Sequence, residues 1–220
     1  MKIQWQFSAV LCLVLALALA GSAQSAAPSP AAPAPAPASL SAAERELALK
    51  NLQATHDAFL KSIAGLSEKQ WRFKPAPDRW SIAEVAEHIT VAESTIFGLV
   101  ENKMMMSPAT PDKRSETQGK DELILTKVPD RSHKVQAPEI LKPTNRFATE
   151  DELVKTFEQE RKATMDFVRT TSEDLRDHIY PHPSLGPLDA YQWILLISAH
   201  SERHTKQIEE VKADPNYPKQ

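Results

Sequence analysis

The sequence is poor in cysteine, glycine and net charge, and each shortage excludes something. Cys12 is the only cysteine of the 220 residues. It lies inside the N-terminal apolar run, so a chain that loses that run has no disulfide, cysteine nucleophile or thiolate ligand. Any metal would then be held by His, Asp or Glu. Five glycines are too few for a turn-rich all-β fold. A net charge of −3 gives no electrostatic grip on DNA or RNA, so no nucleic-acid partner is expected.

Prolines are numerous but clustered. Residues 1–23 read as a secretory leader: Lys2, then an apolar run from Ala9 to Ala20, then small residues with cleavage after Ala23. The run is shorter than the roughly 20 residues of a spanning helix. The expectation is export to the periplasm or outside, the alternative being an uncleaved anchor that tethers the protein to the envelope. Residues 24–40 are Ala/Pro-rich, "AAPSPAAPAPAPA" at their centre, and read as a semi-rigid extended spacer or plain disorder. Residues 41–220 form the expected domain.

Within it, helical periodicity appears four times. The first helix follows Ser41, with Leu47, Leu52, His56, Phe59 and Ile63 on one stripe and Gly65 at its end. The second starts at a capping box, Ser81 and Glu84, and carries Ile82, Val85, Ile89, Ala92, Ile96 and Leu99. The third follows Thr149 and Glu152, read as another capping box, and the fourth covers "WILLISAHSERHTKQIEEV". Residues 107–147 lack periodicity and form a long connection that suits a lid or crossover. No strand or internal repeat is evident. The fold class is all-α: a four-helix bundle with a long irregular connection between its second and third helices.

His200 and His204 lie about 40° apart on the fourth helix, near the centre of the face marked by Trp193, Ile197, Ile208 and Val211. "HSERH" is not the zinc-protease motif, which needs Glu directly after the first His; Ser201 stands there. Imidazoles at i and i+4 can chelate one ion, and His88 on the second helix is placed to supply a third nitrogen. The competing reading is a set of hydrogen-bonded core histidines. His56 is a weaker candidate ligand. Glu93 reads as a carboxylate orienting an imidazole or, more simply, as one snorkelling at the bundle edge. His178 and His182 flank a proline-rich turn and are expected to face solvent. His133 belongs to the long connection, and Met104–Met106 reads as pocket lining or a helix-end contact.

Two segments, "KPAPDRWSIAEVAEHI" and "HPSLGPLDAYQWILLISAHSERHTKQIEEVKADPNYP", carry the motifs W-S-x-x-E-x-x-x-H and H-x-x-x-H-x-x-Q. Together they resemble the DinB-like superfamily of damage-inducible, metal-binding four-helix proteins, over about residues 44 to 218. The resemblance implies a central cavity holding a divalent ion on His88, His200 and His204, with zinc, nickel, iron or copper as candidates. It also implies a homodimer. Relatives include metal-dependent transferases and an isomerase that use low-molecular-weight thiols. A leader sequence departs from that setting, since such thiols are mostly cytosolic. Hydrolysis of a small molecule by metal-bound water therefore suits an exported chain better than S-transfer. The non-enzymatic alternative is a helical bundle that merely binds a metal or ligand.

Overall fold

The computed structural model describes residues 39–219. The expected leader and all but the last two residues of the expected spacer lie outside them. The four long helices are α1 (Ala42–Ile63), α3 (Ile82–Leu99), α5 (Glu150–Thr170) and α6 (Ala190–Lys212). Between them lie a one-turn helix α2 (Glu68–Trp71), a short α4 (Lys120–Lys127), and a hairpin of β1 (Ile179–His182) with β2 (Gly186–Asp189). The architecture is a four-helix bundle. No described helix is long and apolar enough to cross a membrane.

Local chemistry sets the helix starts. Ser41 and Glu44, and Ser81 and Glu84, form reciprocal capping boxes, each satisfying two otherwise orphaned N–H groups. Asp189 and Gln192 do the same for α6. The box expected at α5 is only half formed. The Thr149 hydroxyl accepts from the Glu152 N–H, but the Glu152 carboxylate accepts from Ala148 N, not from the cap residue. Gly65 takes φ +68° just past α1, a left-handed conformation that glycine adopts without strain. The helix after Ile82 ends in a π turn over Val100–Met104, which buries Met104 and leaves Met106 exposed.

In the bundle, α6 packs against α1 and α3, and α5 packs against the same two. Helices α1 and α3 therefore occupy opposite corners, as do α5 and α6. The links from α1 to α3 and from α5 to α6 therefore join diagonal corners, whereas the link from α3 to α5 joins neighbours. The one from α3 to α5 is not wholly irregular: it contains α4, whose Ile124 is fully buried. The hairpin corrects the expectation of no strand. It pairs Tyr180 with Leu188 and His182 with Gly186, and sets Pro181 opposite Pro187, where neither ring has an N–H to offer. Leu47, expected on the buried stripe of α1, is exposed, and Ala48 takes the inner place.

The apolar core is split in two. One cluster holds Leu52, Ile96, Val168 and Ile194. The other holds Phe59, Ile82, Phe157 and Ile208. Between them lies a polar layer to which every long helix contributes: Thr55 from α1, His88 and Glu93 from α3, Arg161 from α5, and His200, Ser201 and His204 from α6.

Candidate metal centre

At the middle of that layer Arg161 and Glu93 form an ion pair at 1% and 0% side-chain exposure. Arg161 Nε and Nη2 donate to the two Glu93 oxygens at 2.6 and 2.7 Å. Its remaining N–H groups donate to Leu52 O, the Thr55 hydroxyl at 2.9 Å and the Ser201 hydroxyl at 2.9 Å. All five guanidinium hydrogens have acceptors. Glu93 is thus neither an edge carboxylate nor the partner of an imidazole, and nothing local in the sequence marks Arg161, whose partner lies 68 residues away.

The three candidate histidines meet beside this pair, in the groove between α3 and α6. His88 Nε2 lies 3.1 Å from His200 Nε2 and 3.2 Å from His204 Nε2. Three nitrogens bound to one ion at 2.0–2.1 Å in tetrahedral geometry would lie about 3.4 Å apart. His88 is buried, and His200 and His204 are partly exposed. The α3–α5 connection meets the site's surroundings at Leu141, which contacts His88, and at Arg131, which contacts Gln207. The three rings thus lie where α3 meets α6, in contact with the α3–α5 connection through Leu141.

The outer ring nitrogens fix the inner ones. His88 Nδ1 is 2.8 Å from Leu141 O, an acceptor only, so Nδ1 carries the hydrogen. His204 Nδ1 is 2.9 Å from Gln207 Oε1. Arg131 Nη1 donates to that same atom at 3.1 Å, which identifies it as the amide oxygen. His204 Nδ1 therefore also carries the hydrogen. In their neutral forms His88 and His204 then present bare Nε2 lone pairs to one another across 3.2 Å. Protonation would relieve that repulsion, but burial opposes it. Burial, followed by the neighbouring His88, Arg203 and His182, pushes His200 down to about 3. Burial first, and then the other two rings, pushes His204 well below its ordinary value. His88 is lowered by burial as well, against the bond to Leu141. Three neutral nitrogen donors converging without a hydrogen between two of them fit a divalent cation.

Among the described residues no fourth His, Cys, Asp or Glu joins this group. His56 stacks on Phe157 and bonds Asp57 instead. His133 contributes its backbone carbonyl, which accepts from Arg203. His178 and His182 do not simply face solvent. His178 Nδ1 bonds Met104 O, and the half-buried His182 ring sits 5.3 Å from Trp193, two turns before His200 on α6. Ser184 N and Leu185 N both donate to His182 Nδ1, so its hydrogen is on Nε2. Trp80 closes another side, 5.0 Å from the His88 ring.

A family model described as the DinB superfamily matches residues 51–208. YuaE, an uncharacterized protein of Bacillus subtilis strain 168, is 27% identical over 150 residues, covering 68% of this chain and 88% of its own length. A solved structure of YfiT from Bacillus subtilis covers 82% of this chain and 92% of its own, with a TM-score of 0.52 at 11% identity. It is described as "a probable metal-dependent hydrolase with an unusual four-helix bundle topology". At that identity the likeness establishes the fold.

Proposed function

We propose that this chain, which belongs to the DinB superfamily, binds one divalent metal ion on His88, His200 and His204 and hydrolyses a small molecule there. The observation that carries the reading is the pair of bare Nε2 lone pairs 3.2 Å apart, each fixed by the bond its own Nδ1 makes. Such an arrangement is repulsive alone and attractive around a cation. An ion held by three imidazoles keeps open positions and would supply Lewis acidity and an acidified water.

The surrounding residues have separate tasks. Leu141 and Gln207 orient two of the rings. His182 offers a neutral Nε2–H donor to a substrate atom from the hairpin side. The hydrolase named for YfiT supports the reaction class, and the three-donor set without a fourth protein ligand supports an open, reactive site over a closed structural one. The first 23 residues support an exported enzyme, and the ion's identity is set by availability as much as by the ligand set.

The test is metal analysis followed by a chelator-controlled screen. Isolated chain should hold about one divalent ion per molecule, lost in a His200→Ala, His204→Ala double variant. Ester, amide and thiol-transfer panels should then show hydrolysis that chelator abolishes and metal restores. Metal bound without turnover in any panel leaves a binding protein; S-transfer alone would move the chemistry to the thiol-dependent class.

A further inference from the structure

We infer that Arg131, in the connection between α3 and α5, is a positioning residue for this site: it holds the Gln207 amide oxygen toward His204 and so decides which nitrogen of that ring is left bare. The inference rests on the reading of the three histidines as metal ligands. Gln207 lies one turn beyond His204 on α6. A side-chain amide can turn either its oxygen or its NH2 toward a ring nitrogen. With oxygen inward, His204 Nδ1 carries the hydrogen and Nε2 is a free donor aimed at the cluster. With NH2 inward the tautomer reverses, and an N–H points at His88 and His200, which cannot bind a cation.

Arg131 removes the choice. Its Nη1 donates to Gln207 Oε1 at 3.1 Å, the oxygen that also accepts from His204. Turning the amide over would set NH2 against a guanidinium, which only donates. Arg131 is itself held by two bonds to the Glu210 carboxylate, at 2.6 and 2.8 Å. That carboxylate also offsets a positive charge that would otherwise repel a cation. The stretch carrying Arg131 is fixed from α6: Arg203, next to His204, donates to Val128 O at 3.2 Å, to Asp130 O and to His133 O at 2.7 Å. A residue far from either histidine motif thereby sets the ligand form of one of them.

The competing account is that Arg131 only ties the connection to α6 through Glu210. A double-mutant comparison separates the two. Zn2+ affinity of the full chain is measured near neutral pH by competition with a chromophoric chelator, for the parent, Arg131→Ala, Gln207→Glu and the double variant. The expected result is a loss of about tenfold or more for Arg131→Ala. A glutamate at 207 accepts with either oxygen and needs no guide, so in that background Arg131→Ala should change affinity by less than about twofold. Should Arg131→Ala fail to fold, Arg131→Lys, which retains a charge for Glu210, is expected to give a smaller loss in the same pattern. Equal losses in both backgrounds, or no loss in the first, would overturn the inference while leaving the metal reading intact. A parent chain that takes up no Zn2+ would overturn both.

Discussion

Glu93→Gln is the substitution whose outcome the core predicts most sharply. The side chain keeps its shape but loses its charge and one acceptor. Arg161 remains ionised, because a guanidinium cannot shed its proton at any ordinary pH. Two strong bonds, at 2.6 and 2.7 Å, become at best one bond to an uncharged amide oxygen, with an amide NH2 facing a guanidinium N–H. Both groups are at or below 1% exposure, so water cannot compensate. Removing one partner of a buried ion pair costs about 3–5 kcal/mol. For a domain of this size each kcal/mol lowers Tm by about 2–4 °C, which places the drop between about 6 and 20 °C. Thermal and urea unfolding of the metal-free chain, followed by circular dichroism, reads it directly. Replacing both partners with apolar residues, Glu93→Leu with Arg161→Met, should recover most of the loss, because desolvation and attraction disappear together. A loss below about 1 kcal/mol for Glu93→Gln would refute the reasoning. Zn2+ affinity of the folded single variant should stay within about twofold, since Glu93 touches no imidazole; a large loss would return it to the role of orienting one.

Three further outcomes follow from the site and its surroundings. The folded chain resists protonation of His200, at about 3 against the ordinary 6.5, so the unfolded chain binds more protons in that window. Stability of the metal-free protein should therefore be full above pH 6.5 and fall as pH drops toward 3, with His88 and His204 acting in the same direction; a Tm that is flat between neutral and acid pH would contradict the burial of these rings. Asn145 holds φ +59° while its N–H and that of Thr144 bind the buried Glu87 carboxylate. Asn145→Ala should cost about 1–2 kcal/mol in urea unfolding and Asn145→Gly almost nothing. Long-range proton–nitrogen spectra near neutral pH should show His182 with its hydrogen on Nε2; the opposite tautomer would remove it as a donor to substrate.

The parts of the fold legible in the sequence were those set by local periodicity. Ser81 followed by Glu84 and an apolar stripe specifies α3 without reference to any other element. His200 and His204 share a face because of the helical repeat alone. Their approach to His88 was legible for the same reason, since each helix had one inward direction to offer. Arg161 was not legible. It lies within "EQERKAT", which reads as a solvent face, and only the opposing carboxylate on α3 makes its burial tolerable. The hairpin was hidden by its prolines, which argue against strands unless they sit where no N–H is needed, and pairing, not composition, decides that. Leu141 and Arg131 belong to a stretch with no period, so their bonds to His88 and Gln207 depend wholly on the path of the connection.

The polar layer holds two clusters with opposite balance, and the contrast argues for a metal more strongly than proximity does. Around Arg161 the accounting is complete: five donors meet a carboxylate, two hydroxyls and a carbonyl, and the charges cancel. That cluster needs nothing from outside. Around the histidines the neighbours supply acceptors to the outer nitrogens of His88 and His204, and between the inner nitrogens of those two rings there is no hydrogen. A purely structural histidine cluster would match each acceptor with a donor, as His182 Nδ1 is matched by the N–H groups of Ser184 and Leu185. Here two inner nitrogens are acceptors facing acceptors. Neither α3 nor α6 depends on these rings for its start, since each is closed by its own capping box. That the rings are held together by bonds from a remote connection is what a site shaped for a cation requires.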